Sequence, residues 1–193
     1  MSISPRRFLI AAAVAAFSTA TVLSGVPAAT AASSSAVTSG YTYITPSARL
    51  VRTLASHHIV LSAIRPASIQ VESGPTTTIA LPITGGTATP PNYVTRMAGG
   101  LRFKLHTHVV TLTNLVFNTK THLGTAIVNH AGRFAIFQLG DPQGGSGGPG
   151  SVSFGGYTVS LTRVGWTKLD SKLGTMFFAY HKLLGTGTTD VKF

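Results

Sequence analysis

The chain has 193 residues, no cysteine, and fifteen Lys and Arg against four acidic residues, a formal net charge of +11. The missing cysteines exclude a disulfide framework and thiol chemistry, so any fold must hold by burial and backbone hydrogen bonding. With only Glu72, Asp141, Asp170 and Asp190 as acids, paired-carboxylate hydrolysis is poorly supplied.

Arg6 and Arg7 precede an apolar run from Phe8 to Phe17, and Ala29-Thr30-Ala31 offers the small residues that a signal peptidase reads. This order predicts a secretory signal peptide over residues 1–31. The run is too short for the roughly 20 residues of a membrane span, and no later stretch approaches one. Residues 32–40 read as a flexible Ser/Ala/Thr linker and 41–193 as one β-rich domain. Without Arg6 and Arg7 the remainder has thirteen basic residues against four acids, a net charge of +9. That balance points to anionic cell-envelope polymers as partners, with the protein secreted and extracellular at the cell wall. Nucleic acid is disfavoured, because no basic helix or aromatic stacking platform stands out.

Tyr41 to Thr45 reads as a first strand. Thr45 as cap and Pro46 as first helical residue then predict a short amphipathic helix carrying Leu50, Val51 and Leu54. His58 to Leu61, Ile69 to Glu72 and Thr78 to Ile83 are strand candidates, the last two divided by a Ser73-Gly74-Pro75 turn. Gly85-Gly86 and Pro90-Pro91-Asn92 suggest a loop before Tyr93-Val94.

The clearest hairpin is Leu101 to Phe117. Leu101, Phe103 and Leu105 alternate with Arg102, Lys104 and His106, and beyond the His106-Thr107-His108 apex the inward set Val110 and Leu112 slips by one to Leu115 and Phe117. A slip at Thr113-Asn114 is how a β-bulge reads in sequence. Leu123 to Asn129 and Phe134 to Leu139 form a second hairpin, and Gly140 to Gly150 reads as a flexible low-complexity loop. Tyr157, Val159 and Leu161 mark another strand, while Trp166, Leu169 and Leu173 with Gly174 mark a second short helix. Thr188 to Phe193 is a closing strand. The sum is a mainly β fold, an antiparallel β-sandwich or partly closed barrel with two short helices.

Several residues carry chemistry. His106 and His108 stand two apart and would reach one metal ion together if a third ligand, His122 or His130, joined them. Adjacent His57 and His58 on a strand face opposite sides. Ser146 sits in a G-x-S-x-G pattern, Gly144 to Gly148, but Pro149-Gly150 and a strand follow where an α/β hydrolase needs a helix, and no buried acid is paired with a histidine. Of the tyrosines, Tyr41, Tyr43, Tyr93, Tyr157 and Tyr180, the neighbours Tyr180 and His181 form the most suggestive pair, with Tyr93 beside them as a ligand-binding candidate.

The motifs RLVRTLASHHIVLSAIRPASI at residues 49–69, LPITGG at 81–86, AGGLRF at 98–103, VTLTNLVFNT at 110–119, RFAIFQL at 133–139 and YTVSLTRVGWTKLDSKLG at 157–174 resemble, in that order, a group of secreted actinobacterial proteins. More distantly the chain is similar to HtaA-type domains, secreted or cell-wall haem-binding modules, through its Gly-rich approach to a strand pair and its closing strand and helix. That likeness implies haem as cofactor, with a tyrosine on the iron and a histidine supporting it, although no motif here matches those ligands. The residues taken alone imply no cofactor and a secreted, non-enzymatic β module acting by binding or structural association with the envelope. The resemblance implies a small-ligand carrier of the haem-binding kind instead, and a hydrolase using Ser146 is a remote third reading.

Overall fold

The structure is a computed structural model and describes residues 34–71 and 77–193. The expected signal peptide and the Ser73-Gly74-Pro75 turn lie outside the described residues. In chain order the elements are β1 (Ser35–Val37), β2 (Ser39–Pro46), α1 (Ala48–Ser56), β3 (Ile59–Ile64), β4 (Ser68–Val71), β5 (Thr77–Thr89), β6 (Asn92–Met97), β7 (Gly100–Leu105) and β8 (His108–Asn118). They continue with β9 (Leu123–Val128), β10 (Arg133–Leu139), β11 (Gly144–Gly148), β12 (Ser151–Leu161), α2 (Arg163–Leu173), α3 (Phe177–Tyr180) and β13 (Leu183–Lys192).

Eight strands close an antiparallel barrel in the order β5, β2, β13, β12, β10, β9, β8, β6 and back to β5. Closure gives each of these eight strands a partner on both sides, while the added strands β1, β3, β4 and β11 pair on one side each. Inward residues alternate along the barrel strands, so Leu81, Leu115, Phe137 and Val159 are fully enclosed. The interior also holds a polar chain, in which the Tyr157 hydroxyl lies 2.7 Å from Thr189 Oγ1 and that oxygen lies 3.1 Å from Thr42 Oγ1.

The slip expected in β8 is present. The β8/β9 register shifts between Thr113 and Val116, and Asn114 has φ 50°. There β8 changes partner on its other edge, from β7 over His108–Thr113 to β6 over Val116–Asn118. The bulge bends the strand so that its first half leaves the barrel wall and leads a side sheet, β8–β7–β3.

Four expectations change. Ser35–Val37, read as linker, form β1 and pair with Gly86–Ala88, continuing the ladder that β2 makes with β5. Pro46 stays in β2 opposite Gly185, so the helix starts later and Ser47 caps it, its Oγ accepting the Leu50 N–H at 3.1 Å. Gly85 and Gly86 do not break the chain: β5 runs on to Thr89, and a Cβ on Gly86 would strike the Val94 carbonyl of β6. Its glycine serves a close backbone approach. The Gly140–Gly150 stretch is not a free loop, because β10 covers only Val159–Leu161 of β12 and the remaining edge, Ser151–Gly155, is paired by Gly144–Gly148. A ladder is made by backbone groups and needs no side chain to form.

The second helix ends where expected, with Gly174 at φ 69° donating its N–H to Asp170 O. A third helical turn, α3, follows it and buries Phe177 and Phe178. Phe178 meets Phe103 edge-on at 5.4 Å between ring centroids, which seats the α2–α3 corner against the side sheet.

Candidate functional site

The side sheet bounds one concavity lined mostly by aliphatic side chains. Among the described residues β3 pairs only with β7 and β4 only with β5, so these consecutive strands diverge from the turn at residues 65–67 with no ladder between them. α1 packs on β3 and turns Leu50 and Leu54 into the core, leaving Val51 and Ala55, one helical turn apart, on the neighbouring face. Val51, Leu54, Ala55, Leu61, Ile69 and Ile79 are among the apolar residues in the walls of a cavity of about 450 Å³ between α1, β3, β4 and β5. That lies within the range of roughly 300–1,000 Å³ typical of small-ligand sites. Exposed Val60 and Ile69 line it as well, and Val71 is exposed further along β4, so apolar surface continues beyond the mouth. His58, held at φ 57° between α1 and β3, also lines the cavity. Among the described residues it is the only side chain in this lining with an atom that binds iron well.

A second concavity is larger and carries several polar side chains. An open cleft of about 960 Å³ runs between the β5–β6 turn at Pro90-Pro91, the segment before β9, and the β11–β12 hairpin. Tyr93 lies in it, its ring stacked on Phe154 at 5.0 Å, opposite His122, whose Nδ1 is 3.5 Å from Asp141 Oδ1. Ser146 lines the same cleft, yet it makes no hydrogen bond to His122, and Asp141 is largely exposed rather than buried behind the imidazole. A nucleophile needs its base within bonding reach and the base held by a fixed third group.

Tyr180 and His181 lie elsewhere. His181 packs its ring on Phe177 at 4.7 Å, and Phe177 also meets His57 at 5.2 Å, so these imidazoles extend an aromatic cluster. Tyr180 is 76% exposed and borders a shallow hollow of about 170 Å³ with Arg49, Lys182 and Leu183, too small to enclose a macrocycle. The structure therefore does not bring Tyr93 to Tyr180 and His181. His106, at φ 52° in the two-residue β7–β8 turn, and His108, opposite Leu105, are both exposed. Among the described residues no three His, Asp or Glu side chains gather closely enough to hold a metal ion, so neither His122 nor His130 completes that pair.

Sequence reading passed over the cavity because its lining comes from four separate elements and its one coordinating residue was placed on a strand. The signal that was there is the combination of outward Val51 with exposed Val60 and Ile69. A haem would find apolar walls for its ring and the His58 imidazole for its iron here, while none of the five tyrosines lines the cavity. Two tyrosines are also poor phenolate donors on their own account. Burial raises the Tyr157 pKa, outweighing the lowering by Thr189, and burial with Asp190 and Tyr41 nearby raises that of Tyr43. The donor set thus fits a histidine-held haem and not a tyrosine-held one.

No protein-family model matches the chain, and no curated protein matches it in sequence. In three dimensions it is similar to the C-terminal domain of HtaA from Corynebacterium glutamicum, with a TM-score of 0.60 and 11% identity, over 81% of this chain and 98% of that one. It also aligns with the heme binding protein HtaB from the same organism at a TM-score of 0.49 and 11% identity, over 83% and 96% of the two chains. At this identity the first likeness establishes a shared fold. Among the described residues no helix is long and apolar enough to cross a membrane.

Proposed function

We propose that the chain is a non-enzymatic binding module that takes a flat apolar ligand, haem first among them, into the cavity between α1, β3, β4 and β5. The observation that carries this reading is an apolar cavity of about 450 Å³ with one imidazole, His58, in its lining. Support comes also from the fold shared with the HtaA domain and from the resemblance to haem-binding modules. A bound haem would supply a ligand-exchanging iron. The protein's own part is to exclude water with Val51, Leu54 and Ile79 and to offer the His58 nitrogen. The amino-terminal apolar run and Ala29-Thr30-Ala31 support export, which would put such a module outside the cell.

The test is a haemin titration followed in the Soret region. The expected result is a stoichiometric Soret shift, altered in position by His58→Ala and weakened at least tenfold by Ala55→Phe, which fills the cavity. No shift at equimolar haemin removes haem from the reading. Binding of an apolar fluorescent dye that Ala55→Phe abolishes would keep the cavity as a site for a different apolar ligand.

A further inference from the structure

The α2–α3 corner exposes apolar side chains beside cations. Met176 and Tyr180, four residues apart across α3, are 68% and 76% exposed, and Leu183 just beyond is 52% exposed. Tyr180 and Leu183 share one hollow with Arg49 and Lys182, and the Lys182 ammonium sits 6.0 Å from the ring centroid of Trp166. Arg163, one turn before Trp166 on α2, and Arg52, one turn after Arg49 on α1, extend the basic rim, and both are exposed.

No described acid offsets these charges. Asp170 is buried with both carboxylate oxygens taken by backbone N–H groups, while Asp141 lines the cleft that holds Tyr93 and Asp190, on β13, lines a hollow with Tyr41 and Lys192. Three large apolar side chains, a half-buried tryptophan and four cations thus share one corner, where Lys182 leans on Trp166 and no acid among the described residues pairs with the cations.

We infer that this corner docks on the surface of an anionic lipid bilayer, Tyr180, Met176 and Leu183 entering the headgroup boundary while Arg49, Arg52, Arg163 and Lys182 face lipid phosphates. The apolar side chains decide between partners: an acidic polysaccharide or teichoic acid would satisfy the cations but would gain nothing from Met176 and Leu183. Aromatic side chains with basic neighbours suit the membrane interface, where one end of the residue is apolar and the other wet. The inference is independent of what the cavity beside α1 holds.

The experiment uses the compact unit Ala32–Phe193, so that the apolar run of residues 8–17 does not itself enter lipid. It is sedimented with vesicles of phosphatidylcholine alone or mixed with phosphatidylglycerol, at low and high salt. Trp166 is the sole tryptophan and reports directly on the corner by its emission. The expected result is partitioning onto phosphatidylglycerol vesicles, weakened by salt, with Trp166 emission moving to shorter wavelength. Arg163→Glu and Lys182→Glu should each lower the partition coefficient about fivefold or more. The triple substitution Met176→Ser, Tyr180→Ser, Leu183→Ser should abolish the emission shift, with circular dichroism unchanged because all three are exposed. Failure to bind anionic vesicles overturns the inference, and so does binding that neither set of substitutions alters. Equal binding to soluble poly(glycerol phosphate) with Trp166 emission unmoved would assign the corner to a polymer and also overturn it.

Discussion

Asp170 holds Phe178: one carboxylate oxygen accepts the Phe178 N–H at 2.9 Å, and the other accepts that of Ala179 at 2.9 Å. A carboxylate at the end of α2 therefore caps the first turn of α3, beside Thr175, whose Oγ1 accepts the Phe177 N–H at 3.2 Å. Asp170→Ala leaves two N–H groups unpaired at a largely buried position. The expected cost is about 2–4 kcal/mol in urea unfolding, since hydrogen bonds to charged groups contribute roughly 1.5–3 kcal/mol each and the effects overlap. A loss below about 0.5 kcal/mol would mean that Thr175 and the packing of Phe177 and Phe178 hold α3 without the carboxylate.

The same carboxyl gives a pH dependence. Burial raises its pKa above the ordinary carboxylate value, outweighing the two N–H bonds that act to lower it. The native state then holds the proton more tightly than the unfolded chain does. The stability this group contributes is full below the unfolded carboxylate pKa of about 3.9 and declines as pH rises through the folded value. The difference in unfolding free energy between wild type and Asp170→Asn should fall over that window and level off above it. A difference that rises with pH instead would show the hydrogen bonds outweighing burial.

The hydroxyl chain inside the barrel predicts a modest loss for Tyr157→Phe. The Tyr157 hydroxyl gives up its 2.7 Å partner, but Thr189 keeps Thr42, so no polar group is stranded. About 1 kcal/mol is expected, near 2–4 °C in Tm for a domain of this size. Thr189→Val should cost more than Tyr157→Phe, because it leaves both the Tyr157 and the Thr42 hydroxyls without this partner. Calorimetry on the two variants, with equal losses as the contrary result, decides the point.

Gly165 of α2 reverses an ordinary rule. Alanine normally stabilises a helix interior over glycine by about 1 kcal/mol. Here a Cβ would collide with the Ile136 carbonyl of β10, a backbone atom that cannot rotate away. Gly165→Ala should therefore destabilise the protein and lift α2 from β10, whereas Gly174→Asn, at the left-handed end of α2 with open space around it, should be nearly neutral. A higher Tm for Gly165→Ala would place α2 further from the barrel than this packing requires.

The strands and the two longer helices were legible because their signals are local. Period-2 alternation marked β7, β8 and β12, the slip at Thr113-Asn114 marked the bulge, and Gly174 marked a helix end. What sequence could not supply was the use made of glycine. Gly85-Gly86 and Gly144–Gly148 read as breaks, yet one pair lies inside the longest strand and the other run is itself a strand, because the neighbouring edge supplies the ladder. The cavity stayed hidden for a related reason: it exists only because β3 and β4 pair outward with β7 and β5 rather than with each other, a choice made by tertiary contacts. The tyrosines drew attention as ligands through residue type alone, and Tyr157 and Tyr93 turn out to be packed against Thr189 and Phe154.

Asn129 clips the second hairpin to the first. Its Oδ1 accepts the Thr111 N–H at 2.6 Å and the Thr111 hydroxyl at 3.1 Å, and its Nδ2 donates to the Val109 carbonyl at 3.1 Å. It does so from φ 45°, a left-handed conformation that asparagine tolerates better than most residues. Two substitutions separate these roles. Asn129→Gly keeps the backbone at ease and loses only the clip, for about 1–2 kcal/mol, while Asn129→Ala loses the clip and adds roughly 1 kcal/mol of left-handed strain. Alanine should thus be the worse of the two, by chemical denaturation. Faster amide exchange at Thr111 should accompany both, since its N–H loses the Oδ1 acceptor either way. Equal stability of the glycine variant and wild type, with Thr111 still protected, would show that the β8–β9 ladder holds this edge without the side chain.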